Sequence, residues 1–192
     1  GGGIGIQLCR NEEELDSKFD SIRQLGKSNF ANSGVYLEKY IARARHLEVQ
    51  MVGDGKGASL AIGNRDCSSQ RRNQKVLEEC PAPNVREEIR AQLYIAAQKL
   101  FSSVSYRNLG TVEFIYDIDT EAFYFLEVNT RLQVEHGITE EVYGIDLIEW
   151  MLKIAAGDPP DLIAKRKYLS HQGHAVEVRL YAEDPYLSLI HI

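Results

Sequence analysis

The sequence predicts a mixed α+β fold built on a largely antiparallel sheet, and three observations carry that reading. Several short segments alternate apolar and polar residues with a period of two, as half-buried strands do. Two of them, GTVEFIYD (110–117) and AFYFLEVN (122–129), are separated by a short polar turn, the signature of a hairpin. Between the strand-like segments lie stretches whose apolar residues recur at helical spacing behind capping residues.

Taken in order, Asn11 with Glu14 three residues on makes a capping-box pattern, and Leu15, Phe19 and Ile22 follow on one helical face. VYLEKY (35–40) and HLEVQMV (46–52) read as strands, the second setting Leu47, Val49 and Met51 against His46, Glu48 and Gln50. GDGKG (53–57) supplies a turn into ASLAIG. Asn84 with Glu87 opens a second helix, whose Ile89, Leu93 and Leu100 form an apolar stripe running to about Val104. The hairpin comes next, and a third helix starts near Asp146, with Glu149 three residues later and Gly157 at its end. No repeat or long flexible linker interrupts these elements.

Composition narrows the function classes. A chain of 192 residues, 44% of them hydrophobic, can bury a sizeable core and form one domain or parts of two. A net charge of -6 argues against a general nucleic-acid binder, which needs a basic face to release counterions. Cys9, Cys67 and Cys80 are odd in number and form no CxxC pair, so neither a disulfide framework nor a zinc cluster is expected, and a reducing, cytoplasmic setting fits. No run reaches the roughly 18 apolar residues of a membrane span. The chain opens inside a glycine run without a methionine and stops after LSLIHI with no turn or cap, which is expected of a piece of a longer protein.

The hairpin carries the chemistry. If its strands pair so that partner numbers sum to an even value, Val112, Phe114, Tyr116, Tyr124, Leu126 and Val128 form an apolar face. The opposite face gathers Glu113, Glu127 and Asn129, and continued extension through EVNTRLQVEH would aim Arg131, Gln133 and Glu135 the same way. Two carboxylates on neighbouring half-buried strands repel each other unless a cation lies between them. Glu and Asn oxygens without histidine or thiolate suit a hard ion such as magnesium, usually held with substrate phosphates. Any one of these charges alone would read as a solvent-facing edge residue.

Two further stretches bear on phosphate. GGGIG (1–5) could bring backbone N–H groups close to phosphates, or be a flexible terminal run; the two readings weigh equally on the residues alone. RDCSSQRRNQK (65–75) sets Arg65, Arg71, Arg72 and Lys75 against one acid, Asp66. A solvated loop or a nucleic-acid patch is the usual reading of such a cluster, but no aromatic residues interleave, and a local anion site is preferred.

GGGIG, VYLEKY, RDCSSQRRNQK and EVNTRLQVEH, in this order, closely resemble the biotin carboxylase component of biotin-dependent carboxylases, in the ATP-grasp superfamily. The likeness runs from residue 1 to about 185, and Asn73 in QRRNQK resembles the urea carboxylase branch, part of urea amidolyase. The resemblance implies a partial ATP-grasp fold, with residues 1–40 in a glycine-rich lid subdomain and 41–192 in the subdomain bearing the metal and bicarbonate sites. It implies that Gly1, Gly2 and Gly3 cover the ATP phosphates, that Glu38, Lys39 and Ile41 hold adenine, and that His46 and Gln70 lie on the ribose side. Glu113, Glu127 and Asn129 would hold Mg²⁺ or Mn²⁺, while Lys75, Arg131, Gln133, Val134 and Glu135 would form the bicarbonate pocket.

In that scheme Glu135 is the base, Arg131 clamps the anion, Lys75 neutralises the transferring phosphoryl group, and Arg179 stabilises the biotin enolate. Biotin on its carrier domain, the carboxyl-transferase and urea as final acceptor lie outside these residues, and a homodimer is consistent with the resemblance. Gly137 stands where proline is common after QVEH, and YLSLIHI departs from the usual continuation after AEDP. The competing expectations are the same half-reaction serving an acyl-CoA carboxylase, a catalytically inert nucleotide-binding module, and, least favoured, a nucleic-acid binder using residues 65–75.

Overall fold

The computed structural model describes residues 5–31 and 34–180, together with the backbone of two short paired strands, Glu183–Asp184 and Leu189–Ile190. Gly1, Gly2 and Gly3 lie outside the described residues. By contacts the chain divides into two units: one takes in the chain up to Ala42 together with Arg71–Gln74, the other Arg43–Gln70 and the chain from Lys75 on.

The first unit contains α1 (Glu12–Phe30). Its start follows the capping pattern: Asn11 Oδ1 accepts from the Glu14 N–H at 2.8 Å. Glu14 reaches back to the Arg10 N–H rather than to the cap residue's own. VYLEKY is irregular, not a strand. Tyr36, Leu37 and Tyr40 in it are all well exposed, and a strand without a partner leaves its backbone groups to solvent.

In the second unit six strands form one sheet, in the order β5-β4-β1-β2-β3-β6. They are β1 (Ala44–Asp54), β2 (Ser59–Arg71), β3 (Gln74–Cys80), β4 (Arg107–Asp117), β5 (Phe123–Asn129) and β6 (Ala175–Val178). β1 pairs antiparallel with β2 and β4, β4 with β5, and β3 with β6. This is the α+β, largely antiparallel architecture expected. The basic stretch 65–75 is no loop: it is the end of β2, a tight turn with Arg72 and Asn73 at φ 53° and 61°, and the start of β3.

One face of the sheet packs on α2 (Glu87–Ser103). Leu47, Val49, Met51, Val112, Phe114 and Tyr116 meet Ile89, Leu93, Ala97 and Phe101 in one core. The helix begins at Arg86, which offers no side-chain cap, so Asn84 is not the cap its spacing with Glu87 implies. Asn84 instead occupies a left-handed turn position at φ 51°, which asparagine tolerates better than most residues.

The other face is apolar at one end only. There Val52, Leu60, Ile62 and Leu109 pack under α4 (Leu147–Ala155) and α5 (Leu162–Tyr168) through Leu147, Trp150, Ile154 and Leu162. Asp146 caps α4 as its spacing predicts, accepting from the Glu149 N–H at 2.7 Å. A short helix that the sequence patterns do not reveal, α3 (His136–Tyr143), packs Ile138 and Val142 against Cys80.

Gly53 shows how closely the strands approach. A Cβ there would sit 2.0 Å from the Tyr106 backbone oxygen, which no side-chain rotation can relieve. Gly53→Ala should therefore lower the denaturant midpoint by the equivalent of about 1–3 kcal/mol or more, whereas Gly57, with nothing within 4 Å, tests only backbone conformation.

Candidate functional site

The polar end of the second face is built by cross-strand register. Arg65 on β2 lies opposite Glu48 on β1, Glu48 opposite Glu113 on β4, and Glu113 opposite Glu127 on β5. One lateral row therefore carries a cation and three carboxylates on a single face, because partners in register point the same way. One row along, Gln50, Thr111 and Asn129 stand side by side.

The parity expected for the hairpin holds at this end and fails near its tip. Glu113 pairs with Glu127 but Phe114 pairs with Phe125, so a bulge removes Leu126 from the ladder. Beyond it the faces swap: Phe123, not Tyr124, turns to the core and packs edge-on against Phe114 at 5.5 Å. Tyr124 and Leu126, expected on the apolar face, are substantially exposed, at 43% and 39%.

Lys75 ties the row together. Its ammonium donates to Glu48, to Glu113 Oε1 at 2.9 Å and to Glu135 Oε1 at 2.7 Å. Burial alone would lower its pKa, yet the surrounding carboxylates, Glu48 foremost, hold it above the ordinary lysine value. Burial likewise pushes Glu113 up, but His46 and the Lys75 charge outweigh it, and the carboxyl sits well below the usual range. Glu48, fully buried, is also lowered because Arg65 and Lys75 together exceed its desolvation.

The chain after Asn129 does not stay extended. It turns into α3, and Glu135 is the residue from which that helix starts. Gln133 and Glu135 still reach the site, since Gln133 Nε2 donates to Glu113 Oε1 at 3.0 Å. Glu135, 1% exposed, is held between Lys75 and Arg179, whose Nη2 donates to Glu135 Oε2 at 2.8 Å. Arg179 Nε donates in turn to the fully buried Glu78, a carboxyl that burial raises despite this contact.

His46 Nε2 lies 2.9 Å from Glu113 Oε2, without the alignment of a hydrogen bond, and its Nδ1 is 3.0 Å from Gln70 Nε2. Glu127 and Arg131 are exposed; Arg131 Nη1 donates to the neighbouring Leu132 carbonyl, and Val134 points outward at 62% exposure. Glu38, Lys39 and Ile41 belong to the first unit, with Glu38 and Lys39 exposed. Thus His46, Gln70, Lys75, Glu113, Asn129, Gln133, Glu135 and Arg179 form one contact network, with Glu127 at its rim through an Asn129 contact of 3.4 Å.

Glu113 and Glu127 share a face and the Asn129 amide donates to both, so these are the residues that would hold a hard divalent ion, with Asn129 a ligand once its Oδ1 faces them. His46, Glu48 and Glu113 also bring donor atoms within 4.8 Å of one another, but there both Glu48 oxygens are already taken by Arg65 and Lys75. Arg65 itself is no part of an anion site, being 0% exposed and paired with Glu48. Sequence reasoning missed the roles of Glu48, Gln50, Arg65, Glu78, Thr111 and Thr139. The available signal was the polar side of HLEVQMV, which in a central strand must be buried like its apolar side.

Residues 1–162 match the family described as the carbamoyl-phosphate synthase L chain, ATP binding domain. The chain belongs to this family. Within it, the domain is 54% identical over 185 residues to urea amidolyase of Lachancea kluyveri, covering 96% of this chain and 10% of that protein. It is 48% identical to biotin carboxylase 2 of Bacillus subtilis, covering 96% of this chain and 41% of that one. The biotin carboxylase domain dimer of Hydrogenobacter thermophilus 2-oxoglutarate carboxylase, in complex with MgADP, ADP and bicarbonate, superposes with a TM-score of 0.89 at 39% identity, covering 97% of this chain and 41% of that chain. This ATP-binding domain thus spans well under half the length of the relatives it matches. No helix among its described residues is long and apolar enough to cross a membrane.

Proposed function

We propose that this chain is the ATP-grasp part of a biotin carboxylase that uses ATP to activate bicarbonate and carboxylate carrier-bound biotin, with urea as the final acceptor in the intact protein. The observation that carries the reading is Glu135: a buried carboxylate clasped by Lys75 and Arg179, beside the Glu113, Glu127 and Asn129 group. A base set between two cations is what an anion that must lose a proton requires.

Glu135 would take the bicarbonate proton onto a carboxylate oxygen while the freed oxygen bonds to the γ-phosphorus and the bond to ADP breaks. Carboxyphosphate forms and then releases carbon dioxide and phosphate beside biotin. Gln133 Oε1 is a buried acceptor with no hydrogen-bond partner among the described residues, and bicarbonate brings a hydroxyl donor. Arg131, exposed and donating to its neighbour's carbonyl, is available to swing onto the anion. Glu113, Glu127 and Asn129 would hold Mg²⁺ or Mn²⁺, which neutralises phosphate charge. Arg179 would stabilise the biotin enolate. His46 and Gln70 would serve the ribose side, and Gly1, Gly2, Gly3, Glu38, Lys39 and Ile41 the rest of the nucleotide.

The biotin carrier and carboxyl-transferase belong to other segments, a homodimer is consistent with the H. thermophilus domain dimer, and three free cysteines suit a cytoplasmic setting. The 54% identity to urea amidolyase and Asn73 favour urea as acceptor. The test measures ADP release by the intact protein with bicarbonate, biotin carrier and either urea or short acyl-CoAs. Release that requires bicarbonate and rises with urea is expected. A rise with an acyl-CoA alone overturns the urea assignment, and no bicarbonate dependence overturns the whole reading.

A further inference from the structure

We infer that Arg65 is a positioning residue that sets the spacing between Lys75 and Glu135, acting through Glu48 on one side and Thr139 on the other. The inference rests on the reading of those two groups as the bicarbonate site. Arg65 is among the largest fully buried side chains in the structure. Its Nε donates to Glu48 Oε1, while Nη1 donates to Gln50 Oε1 and to Thr139 Oγ1, each at 2.8 Å. Nη2 reaches Thr111 Oγ1 at 3.5 Å.

A guanidinium is planar, and its donors point in fixed directions. Glu48 and Thr139 therefore cannot shift relative to each other without breaking a bond to Arg65. The other Glu48 oxygen accepts from Lys75, so the position of the ammonium follows that of Arg65. Thr139 lies four residues after Glu135, on the same face at the start of α3. Lys75 Nζ to Glu135 Oε1, at 2.7 Å, closes a ring that runs Lys75, Glu48, Arg65, Thr139, the first turn of α3, Glu135.

The start of α3 has no side-chain cap of its own, so its placement depends on contacts such as this tether. A purely structural role explains the choice poorly. Well-packed apolar residues of similar volume would hold two strands together without the desolvation that a buried ion pair incurs. What an apolar pair cannot do is register a helix start against a particular carboxylate oxygen.

The test uses the intact enzyme with Thr139→Val, Thr139→Ser and Arg65→Lys. Thr139→Val keeps the side chain's shape and removes the oxygen; Thr139→Ser returns it. Thr139→Val should raise KM for bicarbonate at least about tenfold, because the spacing between Lys75 and Glu135 is no longer fixed. Its affinity for MgATP should stay within about twofold of wild type, and Thr139→Ser should recover most of the bicarbonate KM. Arg65→Lys, which keeps the charge and loses the fork, should resemble Thr139→Val or exceed it.

An unaltered bicarbonate KM in folded Thr139→Val overturns the inference, as does a Thr139→Ser variant equally impaired. Should Arg65→Lys fail to fold, the threonine pair still decides. A wild-type enzyme whose ATP cleavage ignores bicarbonate overturns the proposed function and this inference together, whereas an active wild type with indifferent variants counts against Arg65 alone.

Discussion

Glu135→Gln in the intact enzyme should leave MgATP binding in place and lower bicarbonate-dependent ATP cleavage by about 10²–10⁴-fold, the usual contribution of a positioned general base. The substitution is nearly isosteric, so the amide can still fill the space between Lys75 and Arg179. What it cannot do is accept a proton at neutral pH. Because the Glu135 oxygens bind Lys75 and Arg179 rather than Glu113 or Glu127, nucleotide affinity, read by calorimetry or a fluorescent analogue, should change by less than about threefold. Wild-type cleavage in this variant removes Glu135 from the mechanism.

The second large effect is on stability. Glu48→Gln leaves Arg65 fully buried with no carboxylate on its Nε, and removing one partner of a buried pair typically costs about 3–5 kcal/mol. Arg43→Ala, at an exposed pair with Asp119, should cost less than about 1 kcal/mol, although that contact is also short. Burial, not distance, decides between them. The Glu48 carboxyl is lowered in the folded state from an ordinary value of 4.5, so its stabilisation is complete above that pH and is lost as the pH falls through the lowered value. Thermal unfolding midpoints should therefore be level from about pH 7 to 5 on this account and drop below about 4.5, with a shallower drop in Glu48→Gln. A matching acid slope in the variant would assign the loss to other carboxylates.

Local rules are enough for much of the architecture. The caps at Asn11 and Asp146 are contained in three or four residues, and period-two alternation locates β1, β4 and β5. Parity alone also brings Glu113 and Glu127 to one face. The failures share a cause. The bulge at Leu126, the irregular course of VYLEKY and the short α3 depend on which neighbour covers a backbone, which no window of a few residues contains. Glu48 escapes notice and Arg65 is assigned to an anion site for the same reason: the sequence does not show that α3 brings Thr139 over that face and buries both. Within residues 65–75, only the fold separates Lys75, at the centre of the carboxylate cluster, from Arg72, at an exposed turn.

The bulge between Glu113 and the hairpin tip gives the protein freedom to vary. Pairing on the tip side of Leu126 is offset by one residue from that at the acidic end, so a residue gained or lost in the 118–122 connection should be taken up on the tip side. A short label inserted in that connection should leave the opposed acids in alignment.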